Sequence, residues 1–314
     1  MIPIFGPDDI RPELSIEALI PSAEQALRAI SDGTAQAPVY VLYPNDQADI
    51  HVKSAVLPNC PIFTVKMAGW SQILVDRGEP ASSGMIAVFD SETCKPIAIL
   101  QDDHLISDYR TAAAGAVVAR LLAPETAQSA LIVGTGMQAH LQAEALLLSR
   151  DIKRVHVWGR DIGKADALCE KLAKKFPKIC VHVTHDLAVS VPSADVIVTA
   201  TGAREPIIQA DWIRAGQHIT SVGSDDATKC EIAPSALSLA DVYVDAQSSG
   251  EAYGVPHRAI SKGLIQPGDL TEIGLALESG IVRTDSQTTI ACLSGLGIQD
   301  LTAIKQLFGK LTFR

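Results

Sequence analysis

An α/β fold in two parts is predicted: a doubly wound parallel sheet, and a separate α+β part built on a run of strands. Three observations predict it. Strand-like and helix-like segments alternate from Ser107 to Val244, the mark of βαβ units. Residues 1–106 carry one helical stretch and then five strand-like runs in succession. The chain of 314 residues is 47% hydrophobic but only 4% aromatic, a core-rich composition of small aliphatic residues rather than an array of aromatic repeats.

The elements follow in order. Ile16–Ile30 has helical periodicity and ends near Gly33. Val39–Leu42, Asp49–Leu57, Ile62–Ala68, Met85–Asp90 and Pro96–Gln101 read as strands, the last two joined as a hairpin by the turn-rich Ser91-Glu92-Thr93-Cys94-Lys95. Ser107 is placed to cap an Ala-rich helix that runs to Leu122 and is stopped by Pro124. Strands are predicted at Ser129–Val133, Arg154–Trp158, Ile179–Val183, Asp195–Ala200, Gln217–Val222 and Val242–Val244, with helices ending at Ser149 and spanning Gly163–Phe176. A last amphipathic helix, Gly297–Leu311, places Leu301, Ile304, Lys305 and Phe308 at three- and four-residue spacing. No low-complexity linker precedes it, so it is expected to return to the first part. The division expected is 1–115 with 291–314, and 116–290.

Composition argues against several classes of function. The formal charge of −10, from 26 Lys and Arg against 36 Asp and Glu, disfavours nucleic acid or anionic membrane as a partner, since both call for basic surface. No stretch reaches the roughly 18 apolar residues of a membrane span; the longest candidate, Thr111–Pro124, is broken by Arg120. The first residues, MIPIFGPDDIRPEL, carry prolines and acids where a secretory leader has a basic patch and an apolar run. Cys60, Cys94, Cys169, Cys180, Cys230 and Cys292 are scattered without a CxxC pair, so reduced thiols and a cytoplasmic chain are expected. The histidines form no HExxH; His182 and His185 stand three apart beside a strand, and no metal site is expected.

The most specific local signal is Gly134-Thr135-Gly136-Met137-Gln138-Ala139, which follows directly on a buried strand and opens a helix. In that context the first glycine permits the tight turn and the second lets backbone approach a pyrophosphate. The small Ala139 allows close helix–strand packing, and the helix N-terminus attracts the phosphates. This is a Rossmann-type site for NAD(H) or NADP(H). At the tip of the second strand, where an acid would hold the ribose hydroxyls and select NAD, stands Gly159. Arg160 and Lys164 follow and suit a 2′-phosphate, so NADP(H) is favoured, with Asp161 as the competing ribose acid.

Candidate reacting groups lie elsewhere. Alternation places His51, Lys53 and Ala55 on one face of a strand and Thr64, Lys66 and Ala68 on one face of the next. If the strands pair, the two lysines share a pocket, where adjacent cations disfavour the charged form and make one a proton donor near neutrality. The alternative is two surface lysines lying along apolar surface. Arg110 either holds a substrate carboxylate in its fork or pairs with Asp108 or another acid. Gly223-Ser224-Asp225-Asp226 follows the carboxyl end of a strand, where ligands of such sheets bind. Asp225 there either exchanges a proton with a substrate nitrogen or belongs to an Asp-rich turn.

Taken together with Val65-Lys66, Ser82-Ser83-Gly84, Asp108-Tyr109-Arg110-Thr111-Ala112-Ala113, the Gly134–Ala139 turn, Val157-Trp158-Gly159-Arg160, Thr199-Ala200-Thr201, Gly223-Ser224-Asp225, Gly250-Glu251 and Ser294-Gly295-Leu296-Gly297-Ile298-Gln299-Asp300, the chain resembles the ornithine cyclodeaminase/μ-crystallin family over nearly its whole length. The resemblance implies a Rossmann domain inserted in a substrate-binding and dimerisation domain, a homodimer, and hydride transfer between a nicotinamide and an α-imino or α-amino carbon. It implies Lys66 as the active-site lysine, Arg110 as the carboxylate binder and Asp225 as the catalytic acid. Thr199, Ala200, Thr201, Val222 and Gly223 would then lie beside the cofactor.

Two departures narrow the expectation. Ornithine cyclodeaminases carry an arginine in the segment matching Ala37-Pro38-Val39-Tyr40 and a glutamate where this chain has His51; here no arginine occurs from 31 to 76, and Lys53 stands where methionine is frequent. A site for ornithine, whose far end is an ammonium, would not gain Lys53 and His51. The expectation is an NAD(P)H-dependent reductase of a small α-imino acid or cyclic ketimine carboxylate, of the pyrroline-2-carboxylate or iminosuccinate type. Arg110 with Lys53 or Lys66 would hold the carboxylate, His51 and Lys53 would suit a second one, and Lys66 or Asp225 would supply the proton. The alternatives are a cyclodeaminase that recycles its own NAD, an oxidative amino-acid dehydrogenase, and a non-catalytic dinucleotide-binding protein.

Overall fold

Period-two alternation near the N-terminus becomes a six-stranded sheet. The computed structural model describes residues 2–281 and 283–308, and the chain divides into two units, 1–113 with 296–314, and 114–295. In the first unit the strands are β1 (Ile4–Phe5), β2 (Val39–Asn45), β3 (Ala48–Ala55), β4 (Ile62–Ser71), β5 (Ser82–Asp90) and β6 (Pro96–Leu100). Their order is β1-β6-β5-β4-β3-β2, antiparallel throughout except for the parallel β1–β6 pair. Alternation sorts the two faces. Asp49, His51, Lys53 and Ala55 of β3 and Ile62, Thr64, Lys66 and Ala68 of β4 are buried, while their neighbours are half-buried or exposed.

The helix Ile16–Ser31 is started by Ser15, whose Oγ accepts from the Ala18 N–H at 3.4 Å. It buries Ile16, Leu19, Ile20, Ala23, Ala26 and Leu27, a stripe at three- and four-residue spacing; each fully buried leucine or isoleucine contributes about 1.5–3 kcal/mol. The helix Gly297–Phe308 packs on that helix and on β3 and β4, and Gln306 Nε2 donates to the Ala18 carbonyl at 2.7 Å. It buries Leu301, Ala303, Ile304 and Leu307 and exposes Lys305, so Lys305 does not belong to its apolar stripe. The expected continuation to Leu311 and the Phe308 side chain lie outside the described residues. The Ala-rich helix begins at Leu105, two residues before the expected cap. Asp102 takes the capping role, accepting from the Ile106 N–H at 2.8 Å, and Ser107 is thereby released for the site described below.

The second unit holds β7 (Ser129–Val133), β8 (Arg154–Trp158), β9 (Cys180–Val183), β10 (Val196–Thr199), β11 (His218–Ser221), β12 (Asp241–Val244), β13 (Leu270–Glu272) and β14 (Thr289–Cys292). The order is β13-β12-β14-β11-β10-β7-β8-β9, and every pair is parallel. The chain runs outward from β7 through β8 and β9, then returns to the other side of β7 at β10, so the strand order reverses between β7 and β10. All five residues of β7 are buried, as expected of a parallel strand covered on both faces. Leu131, Val133, Ile197, Ile219, Val242 and Ile290 share one core. Three strands, β1, β13 and β14, are absent from the sequence-based expectation, and β14 lies inside the sheet between β11 and β12. No described helix is long and apolar enough to cross a membrane.

Candidate active site

In the first unit the register makes Lys53 and Lys66 direct cross-strand partners, both on the buried face and only 5% and 4% exposed. The helix Gly297–Phe308 meets them at its first turn. A Cβ on Gly297 would lie 2.6 Å from the Ser54 carbonyl oxygen, so glycine lets this helix end close on β3. Asp300, one turn further and fully buried, then stands between the cations. Its Oδ2 is 2.7 Å from Lys66 Nζ, and its Oδ1 accepts from Arg110 Nε at 2.9 Å. Arg110 Nη1 donates to Gln299 Oε1 at 2.8 Å, and Lys66 Nζ donates to Ser107 Oγ at 2.7 Å. Asp108, the nearer acid in sequence, pairs instead with His104 Nδ1 at 3.0 Å.

Charge and burial compete here. Burial would push Asp300 up; Arg110 and then Lys66 overcome it and hold the carboxyl down at about 2, with Lys53 adding to the effect. Burial pushes the Lys66 ammonium below its usual range, opposed by Asp300 and assisted by Arg110. Burial also raises Asp102. Asp300 bonds directly to Lys66 and Arg110, and a buried cation of this kind persists only while it is paired. His51 lies on the same face, but its Nε2 is 3.3 Å from Asp49 Oδ1, with both side chains 10% exposed. That anion offsets the cationic capacity expected of His51 for a second carboxylate.

The second unit contains the glycine turn. Gly134 has φ +129°, and a Cβ on it would lie 2.3 Å from the Ala200 carbonyl oxygen, so no other residue fits there. Ala139 is fully buried. Gly136 is different: a Cβ would meet nothing within 4 Å, and its φ of −81° is open to any residue. Among the described residues nothing requires glycine at that position, whereas an approaching pyrophosphate does. Gly136 has no side chain with which to cap the helix Met137–Ser149, so the first N–H groups of that helix suit phosphate oxygens. Thr135 packs on Gly159, where a Cβ would lie 2.5 Å from Thr135 Cγ2. Arg160 and Lys164 are exposed, and Asp161 caps the helix Ile162–Lys175, accepting from the Lys164 N–H at 3.1 Å. Met137 is exposed and Gln138 half-buried at the start of their helix. These residues fit a dinucleotide.

At the ends of β10 and β11, Thr199, Thr201 and Gly223 bond to the buried carboxylate of Glu231; Ala200 is half-buried and Val222 buried. In the turn after β11 the two aspartates divide their roles. Asp226 accepts from the N–H groups of Thr228 and Lys229, while the half-exposed Asp225 is 2.7 Å from Lys229 Nζ. The groups that sequence reasoning passed over are therefore Ser107, Gln299, Asp300 and Glu231. Asp300 and Gln299 stand in the landmark Ser294–Asp300, but beyond that the local signal for a role of Asp300 is an acid in the first turn of a helix, which is commonplace.

Residues 6–312 match the model of the ornithine cyclodeaminase/mu-crystallin family. An uncharacterized cyclodeaminase of Sinorhizobium fredii is 38% identical over 292 residues, covering 90% of this chain and 87% of that protein. A Delta(1)-pyrroline-2-carboxylate reductase of Colwellia psychrerythraea is 28% identical over 98% of this chain and 99% of its own. In fold, the chain is similar to Delta(1)-pyrroline-2-carboxylate reductase of Thermococcus litoralis, solved in complex with NADH and L-proline. The TM-score is 0.92, with 23% identity over 98% of this chain and 97% of that one.

Proposed function

The chain belongs to the ornithine cyclodeaminase/mu-crystallin family, and from that premise we propose that it is an NAD(P)H-dependent oxidoreductase that reduces a small cyclic ketimine carboxylate of the pyrroline-2-carboxylate type to the L-amino acid. The observation that carries the reading is the Lys66–Asp300–Arg110 cluster. Arg110 has five N–H donors, of which the Nε and one Nη1 donor are engaged with Asp300 and Gln299. The rest form an edge that suits the substrate carboxylate bidentately, with Lys53 adding charge. Lys66 donates its proton to the imine nitrogen, which makes the carbon a better hydride acceptor. Two of its contacts, Ser107 and Asp300, hold the ammonium in place, while burial and Arg110 favour release of the proton. Bound at the Gly134–Ala139 turn, the dinucleotide supplies the hydride.

Lys66, rather than Asp225, which is salt-bridged to Lys229, is taken as the acid. The anion Asp49 beside His51 favours a substrate with one carboxylate over the iminosuccinate type. Gly159 at the strand tip, with Arg160 exposed and Asp161 engaged as a cap, supports NADP(H) over NAD(H). The reading also takes the chain as a homodimer.

The test is oxidation of NADPH and of NADH with pyrroline-2-carboxylate, piperideine-2-carboxylate, and oxaloacetate plus ammonia. Turnover of the cyclic ketimines with a preference for NADPH is expected. Lys66→Ala should lower kcat by roughly 10²–10⁴-fold and leave NADPH affinity in place. Silence on the panel, with ammonia released from ornithine and no net NADH change, would overturn the reductase in favour of a cyclodeaminase.

A further inference from the structure

Glu231 is wholly buried, and its carboxylate accepts five hydrogen bonds, all from neutral donors. Oε1 accepts from Thr201 N at 2.6 Å and Thr201 Oγ1 at 2.9 Å. Oε2 accepts from Thr199 Oγ1 at 2.8 Å, Gly223 N at 2.9 Å and Ser221 Oγ at 3.0 Å. The donors come from two stretches: the end of β10 with the residues after it, and the end of β11 with the residues after it. Glu231 is itself fixed by its backbone. Its N–H donates to Ser224 Oγ at 3.1 Å, and its carbonyl accepts from the N–H groups of Ile207 and Ile208 at 2.9 and 3.0 Å.

The packing at this point leaves no slack. A Cβ on Gly223 would lie 2.1 Å from the Thr201 carbonyl oxygen and 2.6 Å from Glu231 Oε1. Both strand ends lie beyond the reversal of strand order, on the side of β7 opposite β8. In doubly wound sheets the dinucleotide lies across that reversal, with one mononucleotide on each half. The β7–β8 half carries the Gly134 turn and Arg160, and so takes the adenosine side.

We infer that Glu231 is a positioning residue: it ties the segments after β10 and β11 to one point and so sets the seat of the nicotinamide half of the cofactor. The inference rests on the dinucleotide reading above. Glu231→Gln keeps the shape but replaces one acceptor oxygen by an NH2 group. Whichever way the amide turns, that NH2 faces a backbone N–H, of Thr201 or of Gly223, which cannot rotate to accept.

Calorimetric titration with NADPH, NADH and, as a probe of the adenosine half alone, ADP distinguishes the outcomes. Glu231→Gln is expected to weaken the better dinucleotide about tenfold or more and ADP by less than about twofold. Ser221→Ala removes one donor and keeps the carboxylate; it should act in the same direction by roughly threefold, and it decides the matter by the same criteria if the glutamine variant does not fold. Folded variants that bind the dinucleotide as the wild type does, or that lose ADP and dinucleotide in equal proportion, overturn the inference. A wild-type protein that binds neither ADP nor dinucleotide overturns the dinucleotide reading itself.

Discussion

Asp300 is where the charge balance of the candidate site is decided. Its neighbours Arg110 and Lys66 hold its pKa at about 2, against an ordinary 3.8. A carboxyl depressed in the folded chain contributes stability that is fully present above the unfolded value. That stability is lost as pH falls from about 4 toward about 2, and amounts to roughly 2 kcal/mol. Denaturant titrations across that window should show this loss in the wild type and not in Asp300→Asn, which should begin about 3–5 kcal/mol less stable because buried cations lose their partner. The same variant should move the alkaline limb of kcat/KM to lower pH, since Asp300 favours the charged form of Lys66. An unmoved limb with lowered stability would mean that Asp300 is structural only. Lys53, Lys66 and Arg110 were all legible in the sequence as cationic candidates. The role of Asp300 was not: its motif was legible as a landmark, but it meets Arg110 across 190 residues and neither motif says that the two pair.

At the scale of elements, two glycines show what sets the site. Gly297 meets backbone: a Cβ would lie 2.6 Å from the Ser54 carbonyl oxygen and 3.0 Å from its carbon. Gly115, inside the Ala-rich helix, meets first the end of the flexible Gln142 side chain, 1.9 Å from Oε1, rather than backbone. Gly297→Ala should therefore lift the helix end from β3, carry Asp300 away from Lys66, and lower both Tm and kcat. Gly115→Ala should leave kcat near wild type, with helix propensity gaining up to about 1 kcal/mol. Thermal melts and initial rates check both; equal behaviour of the two variants would refute the contrast. The strands with clean alternation or long apolar runs were readable within a few residues. β14 (Thr289–Cys292) was not, although β9 to β12, equally short, were; its place between β11 and β12 makes it a strand.

At the scale of the whole molecule, the other face of the first unit's sheet carries the homodimer proposal. Tyr40 pairs with Val52, Val52 with Met67, and Met67 with Met85 across four strands. Tyr40 is 65% exposed, Met67 38% and Met85 39%. Beside this row Phe63 stacks on Phe89 with ring centroids 4.8 Å apart. A contiguous apolar surface of this kind is uncommon on monomers, and a second copy of the same sheet face would cover it. Light scattering should give twice the chain mass for the wild type and the single-chain mass for Met67→Glu. A monomeric wild type would sink the proposal.

The sequence by itself determined what is local: the alternation that sorts β3 and β4 into a polar and an apolar face, the glycine turn between a buried strand and a helix, and the family these landmarks announce. Each of these depends on residues within a turn or two of one another, where backbone geometry dictates spacing. Tertiary structure alone decided which charges meet. Asp300 reaches Lys66 and Arg110 because a helix near the end of the chain returns to a sheet near its beginning. Glu231 ties two strand ends because parallel strands bring distant segments to one edge. Such pairings depend on long-range packing, and no spacing in the sequence encodes them.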